Sequence, residues 1–303
     1  MALLARNLQV HPGLLHAVAE VLAVETRSLS AEQIAAYLQP ASFRGMIEGN
    51  PPDVVLLTLD AAQWIGLTAT DGNTWQLRES LREFRPAELD AILPRLVRRG
   101  LFDREWPSDL AEAQKHGGDL GLAIAWYLAQ DAWDPPRRFE KVESSIEQRL
   151  NRQFDDRREY INDTKWVAVR RWLHYCGLGT PDPVAGEMTI PDPTRAVRDE
   201  LRELEGDEWP ISELLSYLAT RCGVLDTGTV RVLAMSGLKA DELEWEHDPQ
   251  ALSPSLSLAL MRLEMENSLE LRREADSPID QRRTLSAGTE ARVVDRVRRP
   301  RKG

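Results

Sequence analysis

Cysteine is scarce in this sequence, which contains only Cys176 and Cys222 among 303 residues. The two cysteines form no CxxC pair, and each lies in an apolar context typical of a helix. This usage predicts buried free thiols in a reducing compartment. Long apolar runs are also missing, since none approaches the roughly 20 residues needed to span a bilayer. Residues 1–9 show no secretory signal, so we expect a cytoplasmic protein.

Sequence motifs of enzymes are missing as well. Neither GxxxxGK[ST] nor GxGxxG occurs, so phosphate binding by a Gly-rich loop is unsupported. The five histidines form no HxxxH or HExxH pair, and no Ser or Cys has a recognisable catalytic partner nearby. We therefore expect no catalytic residues, no metal site and no cofactor. An enzyme with a dispersed active site, which sequence spacing does not show, is a weaker alternative.

A net positive charge is also lacking. The formal charge of −11 argues against a protein that coats nucleic acid by bulk attraction. The charge is uneven, because residues 270–303 contain ten basic and six acidic residues. That segment therefore carries +4, which leaves −15 for residues 1–269. Any contact with phosphate groups is expected from the C-terminal end.

The sequence does contain a helix followed by a hairpin, once near each end of the chain. In the first copy a helix is predicted over Pro52–Trp64, and a strand follows over Ile65–Ala69. The turn at Asp71-Gly72 is a strong hairpin signal, since both residues tolerate positive φ. Two helices are predicted before this copy, one over Gly13–Ala23 and one from a capping box at Ser30. This order predicts a winged helix-turn-helix.

The second copy lies in the last quarter of the chain. A helix is predicted over Ser253–Leu263, with the serine as its cap, and a strand follows over Leu269–Arg273. A turn is predicted at Ser277-Pro278, and the strand returns near Arg282–Thr284. Upstream, the β-branched residues of Val224–Leu233 predict a strand or a small hairpin. A second winged helix is therefore expected at this end.

The middle of the chain is predicted to be helical. One amphipathic helix covers Glu88–Arg99 and is expected to end at Gly100. The segment Leu120–Gln130 is apolar nearly all round, so we expect it to be buried centrally. Two Pro-Asp-Pro sequences, at 181–183 and 191–193, predict turns rather than strands, because proline cannot donate a ladder hydrogen bond.

A concentration of arginine also lies in this middle part, interleaved with aromatic residues. Its members are Arg149, Arg152, Arg157, Arg158, Lys165, Arg170 and Arg171, with Phe154, Tyr160, Trp166 and Trp172. Aromatic and basic side chains together can stack bases and hold a nucleic-acid backbone. However, Trp166 and Trp172 are six apart and do not share a helix face closely. Core tryptophans with surface ion pairs are the competing interpretation.

In a winged helix, the helix before the hairpin is the one that reads DNA bases. The two predicted helices in this position carry few basic side chains. A DNA-reading helix normally offers Arg, Lys, Asn or Gln to base edges. The first predicted reading helix has no Arg or Lys and contains Asp53 and Asp60. The second contains one basic residue, Arg262, which is followed by two acidic ones, Glu264 and Glu266. Because acidic groups that face a duplex repel it, we expect the N-terminal unit to dock or pack against protein.

Basic residues in the C-terminal wing and tail are the candidate nucleic-acid contacts. They are Arg272, Arg273, Arg282, Arg283, Arg296, Arg298, Arg299, Arg301 and Lys302. The wing arginines could grip phosphates on the two strands of one hairpin, while the helix contributes little. A solvated, charged wing is the alternative.

Together these patterns predict a mainly α protein with a winged helix-turn-helix at each end and a central helical domain. The N-terminal winged helix is expected over residues 1–85, the helical domain over 86–205 and the C-terminal winged helix over 206–285. Residues 286–303 are expected to form a basic, disordered tail, because they contain few apolar residues.

Several stretches, mostly in the C-terminal half, form a recognisable set. They are Asn162–Trp166, Arg171–Leu173, Gly177–Gly179, Asp192–Thr194, Val224–Asp226 and Leu252–Glu264. Together they resemble the DpdG family, accessory proteins of bacterial gene clusters that place 7-deazaguanine derivatives in DNA and restrict unmodified DNA. The resemblance implies a place in such a cluster. It implies no catalytic residues, since none of these stretches is a catalytic motif.

The residues and the resemblance together predict a non-enzymatic, DNA-associated adaptor in a bacterial restriction or anti-phage defence assembly. Its expected partners are other protein subunits of that assembly, with weak and non-specific binding of duplex DNA and no membrane. The alternative is a winged-helix transcription regulator that binds duplex DNA through the C-terminal wing.

Overall fold

The computed structural model describes residues 10–25, 27–38, 51–107, 119–135, 163–182, 188–236, 248–287 and 290–300. Within them the helices are α1 (Pro12–Val24), α2 (Ala31–Leu38), α3 (Pro51–Ile65), α4 (Pro86–Phe102), α5 (Asp119–Leu128), α6 (Asp163–Tyr175), α7 (Thr194–Leu201), α8 (Ile211–Arg221), α9 (Thr229–Met235) and α10 (Pro254–Met265). The strands are β1 (Leu29–Ser30), β2 (Thr68–Asp71), β3 (Thr74–Leu77), β4 (Gly179–Pro181), β5 (Thr189–Pro191), β6 (Glu208–Pro210), β7 (Glu270–Arg272), β8 (Arg283–Ala287), β9 (Glu290–Val294) and β10 (Arg296–Arg298).

The fold is mixed α/β, so the prediction of a mainly α protein is wrong. The described strands form four antiparallel sheets, in the orders β1-β3-β2, β6-β10-β7, β4-β5 and β8-β9. Most of these strands have two to four residues. Strands this short show too little alternation of apolar and polar residues to be recognised in a sequence.

The N-terminal elements are organised around α3. This helix packs on α1 and α2, and Val55 and Leu59 on its inner face are buried. The predicted hairpin follows, and its turn contains Gly72 at φ +59°. β1 adds a third strand by pairing with β3, with Leu29 opposite Trp75. The helix and the hairpin predicted for this end are therefore both present.

The C-terminal elements repeat this connectivity. β1 leads directly into α2, and β6 leads directly into α8. In both three-stranded sheets, the strand that comes last in the sequence lies in the centre. Six C-terminal elements thus follow the same order as six N-terminal ones. The C-terminal series is α7, β6, α8, α10, β7, β10, and the N-terminal series is α1, β1, α2, α3, β2, β3. In the C-terminal series, α9 and the hairpin β8–β9 are insertions. The repeat seen in the sequence extends to the strand order, while the winged-helix identity of the two ends stays a prediction.

Most of the described residues between 286 and 300 lie in strands, so the prediction of a disordered tail is wrong there. β9 pairs with β8, and β10 is the central strand of its sheet. Val294 and Val297 are both fully buried. Arg296 and Arg298 flank Val297 and point to the opposite face. The low apolar content of this segment therefore reflects strands that are buried on one side.

The predicted pairing of the C-terminal hairpin is also wrong. β7 pairs with β10, so that Arg272 stands opposite Arg296. The segment expected to pair with β7, Arg282–Thr284, instead leads into β8, which pairs with β9. Of the predicted wing arginines, Arg272 and Arg283 therefore belong to two different sheets, and Arg273 and Arg282 lie outside the strands. Strand partners of this kind are set by tertiary packing, which a local pattern does not contain.

The middle helix α5 is buried on every side, as predicted. Trp126 and Tyr127 are both 0% exposed. Most buried apolar residues of the described chain form one cluster, which extends from Val10 to Val297. The predicted domain boundaries within this cluster stay a prediction. No described helix combines the length and the apolar composition needed to cross a membrane.

Three local predictions in the middle of the chain are wrong. Gly100 does not end α4; a Cβ at this position would lie 2.1 Å from the Ile65 carbonyl oxygen, so the glycine allows α3 and α4 to approach closely. Val224–Leu233 was predicted to form a strand or a small hairpin, but Thr229–Met235 forms α9. Pro181 and Pro191 end β4 and β5 instead of forming turns, because the edge of a two-stranded sheet tolerates a missing N–H.

Candidate functional site

The outward face of α3 is acidic. Asp53, Leu56, Asp60 and Gln63 are exposed and recur at spacings of three and four residues, so they share one face. Leu56 is 39% exposed between the two carboxylates. No Arg or Lys occurs in α3. The helix that would read bases in the N-terminal unit therefore presents negative charge and a leucine, a surface that repels phosphate.

The corresponding C-terminal helix, α10, is enclosed by the protein. Ser253, Ser255 and Ser257 at its start are all 0% exposed. Ser253 donates from its backbone N and from Oγ to the Asp226 carboxylate, both at 2.6 Å, and Ser255 donates to the Leu128 carbonyl. These polar groups are satisfied inside the protein. The first half of α10 is therefore not a surface that could enter a DNA groove.

The hairpin β8–β9 contacts α10 near both ends of the helix. Ser286 N donates to Ser257 Oγ at 3.0 Å, and Arg292 Nη2 donates to Glu264 Oε1 at 2.9 Å. Burial acts to raise the pKa of Glu264, but hydrogen bonds from Arg292 and Leu271 N outweigh burial and lower that pKa below its ordinary value. The ionised carboxylate thus fixes the hairpin to the helix.

The one basic side chain of α10 is paired within the protein. Arg262 forms a salt bridge with Asp192, whose side chain is 3% exposed. Asp192 also accepts hydrogen bonds from Thr180 Oγ1 at 3.0 Å and from Thr194 N at 3.1 Å. Arg262 therefore neutralises a buried carboxylate, while 39% of its own side chain is exposed.

Three of the nine candidate residues lie on the outer face of the sheet β6-β10-β7. Arg296 stands opposite Arg272, and Arg298 stands opposite Glu270, so these side chains share one face. Arg272 Nη2 donates to Glu270 at 2.6 Å, and Arg296 Nε lies 2.8 Å from Glu274 Oε1. Arg298 has no ionic or hydrogen-bond partner in the described ranges.

The other candidates differ in what they contact. Arg299 donates to the last carbonyl of α7 at 2.7 Å, and Arg282 and Arg283 donate to backbone carbonyls of their own loop. Arg273 is exposed, and among the described residues it has no ionic partner. Arg301 and Lys302 lie outside the described residues. Arg273 and Arg298 are thus the candidates best able to meet a phosphate, and that contact stays a prediction.

The two tryptophans of the central basic segment belong to the core. Trp166 is 7% exposed and Trp172 is 1% exposed. Tyr127 packs edge-on against Trp166, with 4.9 Å between ring centroids. One of the two interpretations of this segment, core tryptophans, is therefore confirmed for these rings. The predictions for Arg149, Arg152, Phe154, Arg157, Arg158 and Tyr160 fall outside the described residues.

One polar cluster was missed because its members are far apart in the chain. His16 Nε2 lies 2.7 Å from Asp90 Oδ1 and 3.8 Å from Glu20 Oε1, and His16 Nδ1 lies 3.0 Å from the Tyr175 hydroxyl. The three ionisable groups are close enough to share a cation. Both ring nitrogens have protein partners, however, and both carboxylates are more than half exposed. The cluster links α1 to α4 and α6, and the spacing of His16 and Glu20 was its only sequence signal.

A cleft beside the end of α3 was also missed. Trp64, Arg104, Glu105, Trp106 and Pro107 line a volume of about 370 Å³, and we name them the tryptophan cleft. Arg104 Cζ lies 3.8 Å from the centroid of the Trp64 ring, and Arg104 Nη2 donates to the Trp64 carbonyl at 3.0 Å. Residues 104–107 follow α4 without any periodicity, so the sequence does not show that they meet Trp64.

Comparison with known proteins identifies a family for the chain. A family model described as DpdG-like matches residues 1–277 of the 303. The match includes residues 1–161, which contain none of the stretches that carry the resemblance, and it ends before β8. No curated protein and no solved structure gives a significant match. The chain belongs to the DpdG-like family.

Proposed function

We propose that the chain is a non-enzymatic adaptor that docks other protein subunits of a DNA modification and restriction assembly. Membership in the DpdG-like family supports a place in a DNA-modification cluster. One observation supports the adaptor role. Neither α3 nor α10, the helices expected to read bases in a winged helix, has an unpaired basic side chain. α3 contains no Arg or Lys, and the single arginine of α10 is paired with Asp192.

The outer face of α3 is the proposed docking surface. Leu56 is partly exposed, and Asp53 and Asp60 lie on either side of it. An apolar centre with a polar border is the usual anatomy of a protein–protein interface. Because the border is acidic, the complementary surface of the partner should be basic.

Co-expression with each protein encoded in the same gene cluster tests this proposal. The tagged full chain should co-purify with at least one of them, and the double variant Leu56→Arg, Asp60→Lys should lose that partner. Val232→Arg on α9 is the control, because Val232 is 58% exposed on a different surface. If no protein of the cluster co-purifies, or if both variants retain the partner equally, the adaptor role or its location on α3 is wrong.

A duplex-binding regulator is the second candidate. The observation that favours it is the row of arginines on the outer face of β6-β10-β7, where Arg298 has no ionic partner among the described residues. A gel-shift assay at physiological salt separates the two candidates. An adaptor should bind duplex DNA weakly and without sequence preference, whereas nanomolar, sequence-selective binding would favour the regulator.

A further inference from the structure

The tryptophan cleft holds a guanidinium that lacks a counter-ion among the described residues. Arg104 contacts the ring and the carbonyl of Trp64, and no described carboxylate lies within ion-pair distance of it. The adjacent Asp103 is already 3.3 Å from Arg221. Burial lowers the pKa of Arg104, as expected for a cation that is partly removed from water. An arginine side chain nevertheless stays charged at neutral pH.

The rest of the cleft surface is aromatic and apolar except for Glu105, whose side chain is exposed. Trp106 and Pro107 are half-buried beside Arg104. The indole N–H of Trp106 is buried and has no acceptor in the described part of the chain. A guanidinium that is stacked on one indole has a second face with which it can stack on another planar ring. The group that fits is therefore planar and carries a nearby negative charge.

We propose that the tryptophan cleft binds a nucleotide unit of single-stranded nucleic acid. The base stacks on the rings of the cleft, and the adjoining phosphate lies beside Arg104. Stacking on aromatic side chains with a cation at the backbone is the general mode of single-strand recognition. A volume of about 370 Å³ falls within the range of small-ligand sites. Bases inside a duplex are stacked on one another, so an unpaired base is required.

A proline-rich peptide is the competing occupant, since such peptides dock on aromatic grooves. A neutral peptide would leave Arg104 without a counter-ion, whereas a nucleotide supplies one. The nucleotide site is independent of the adaptor role, because it uses none of the exposed residues of the docking face. Loss of a protein partner and loss of oligonucleotide binding are separate measurements, so the two proposals can fail separately.

Binding of a fluorescein-labelled twelve-residue oligothymidylate to the full chain tests the site by anisotropy. We expect saturable micromolar binding that exceeds the binding of a duplex of the same length. Arg104→Gln and Trp106→Leu should each weaken binding about tenfold or more, in line with the contribution of one stacked base. The matched controls are Trp133→Leu, at an exposed tryptophan, and Arg27→Gln, at an exposed arginine. Both controls should bind as the unchanged protein does.

A second measurement uses the unchanged protein, in case either cleft variant fails to fold. An oligonucleotide containing 5-bromouracil, cross-linked by light, should attach to peptides that contain Trp64 or Trp106. Absence of saturable binding, a preference for the duplex or cross-links confined to other peptides would overturn the proposal. Folded cleft variants with unchanged affinity would do so as well. Binding of a proline-rich peptide with no binding of the oligonucleotide would assign the cleft to the competing occupant.

Discussion

Arg262 and Asp192 form a salt bridge that joins α10 to the segment between β5 and α7. Asp192 is buried and also accepts hydrogen bonds from two threonines. Arg262, the only arginine of α10, thus stabilises the fold. The sequence alone does not distinguish this structural role from a contact with DNA. An arginine that reads DNA and one that neutralises a buried carboxylate respond differently to substitution.

Replacing Arg262 with Gln should lower the free energy of unfolding by about 1–3 kcal/mol, because the buried Asp192 loses its cation. The affinity for duplex DNA should not change. Urea denaturation and a gel-shift assay measure the two quantities. Arg198→Gln is the control, since Arg198 pairs with the exposed Glu266 and should contribute less than about 1 kcal/mol. Reduced DNA affinity with unchanged stability would show that Arg262 contacts DNA.

Glu200 should be a more sensitive position. Its Oε1 accepts from Arg98 Nη2 at 2.8 Å and its Oε2 accepts from Arg99, and both Glu200 and Arg98 are 0% exposed. Glu200→Gln removes the buried carboxylate that Arg98 and Arg99 share and leaves Arg98 with only the longer ion pair to Asp199, at 3.5 Å, so we expect a loss of up to about 3–5 kcal/mol in urea denaturation. Glu203→Gln breaks a partly exposed pair with Arg95 and should cost less than about 1 kcal/mol. Equal losses for the two variants would contradict this account.

These ion pairs explain why the sequence predicted the helices better than the sites. Periodicity and caps act within a few residues, so α3, α5 and α10 were recognisable from the apolar pattern and from Ser253. Glu200 follows Arg98 by 102 residues in the chain, and Asp192 precedes Arg262 by 70. Only the folded chain brings such partners together. A local pattern also does not show which strands pair, because the partners are distant in the chain. For this reason β10 was predicted to be part of a disordered tail.

The two thiols should be unreactive in the folded protein. Burial raises the pKa of Cys176 and the pKa of Cys222 to about 12. At pH 8 a thiol reagent should label neither residue under native conditions and both after denaturation. Fast labelling of the native protein would contradict the burial of these residues.

The same shifts predict a dependence of stability on pH. A thiol pKa that is higher in the folded state contributes stability that is complete below the unfolded value, about pH 8.5, and that is lost as the pH rises towards 12. The free energy of unfolding should therefore fall above pH 8.5. Replacing both cysteines with Ala should reduce this fall between pH 8.5 and 11. An identical decline in the substituted protein would assign the effect to other groups.

The sequence shows that basic residues are concentrated at the C-terminal end. It does not show which of them are free to contact a phosphate. Ten arginines and lysines in one segment predicted a phosphate-binding wing. In the folded chain Glu270 pairs with Arg272, and Glu274 pairs with Arg296. A count of charges contains no information on which partners the sheet register supplies. The candidate site is thus smaller than predicted, because Arg273 and Arg298 are the candidates whose side chains have neither an ionic partner nor a hydrogen-bond acceptor among the described residues.

The double variant Arg273→Gln, Arg298→Gln tests whether this end binds duplex DNA. Each phosphate neutralised by a protein contributes about 0.9 to the slope of log affinity against log salt. Losing two contacts should flatten the slope by about 1.8 and weaken binding equally for all sequences. Arg272→Gln is the control, because Glu270 already holds Arg272 and the slope should change less. Truncation after Leu285 is unsuitable, since it removes the central strand β10. An unchanged slope in the double variant would mean that both arginines are only solvated, and binding of the duplex would have to come from another surface.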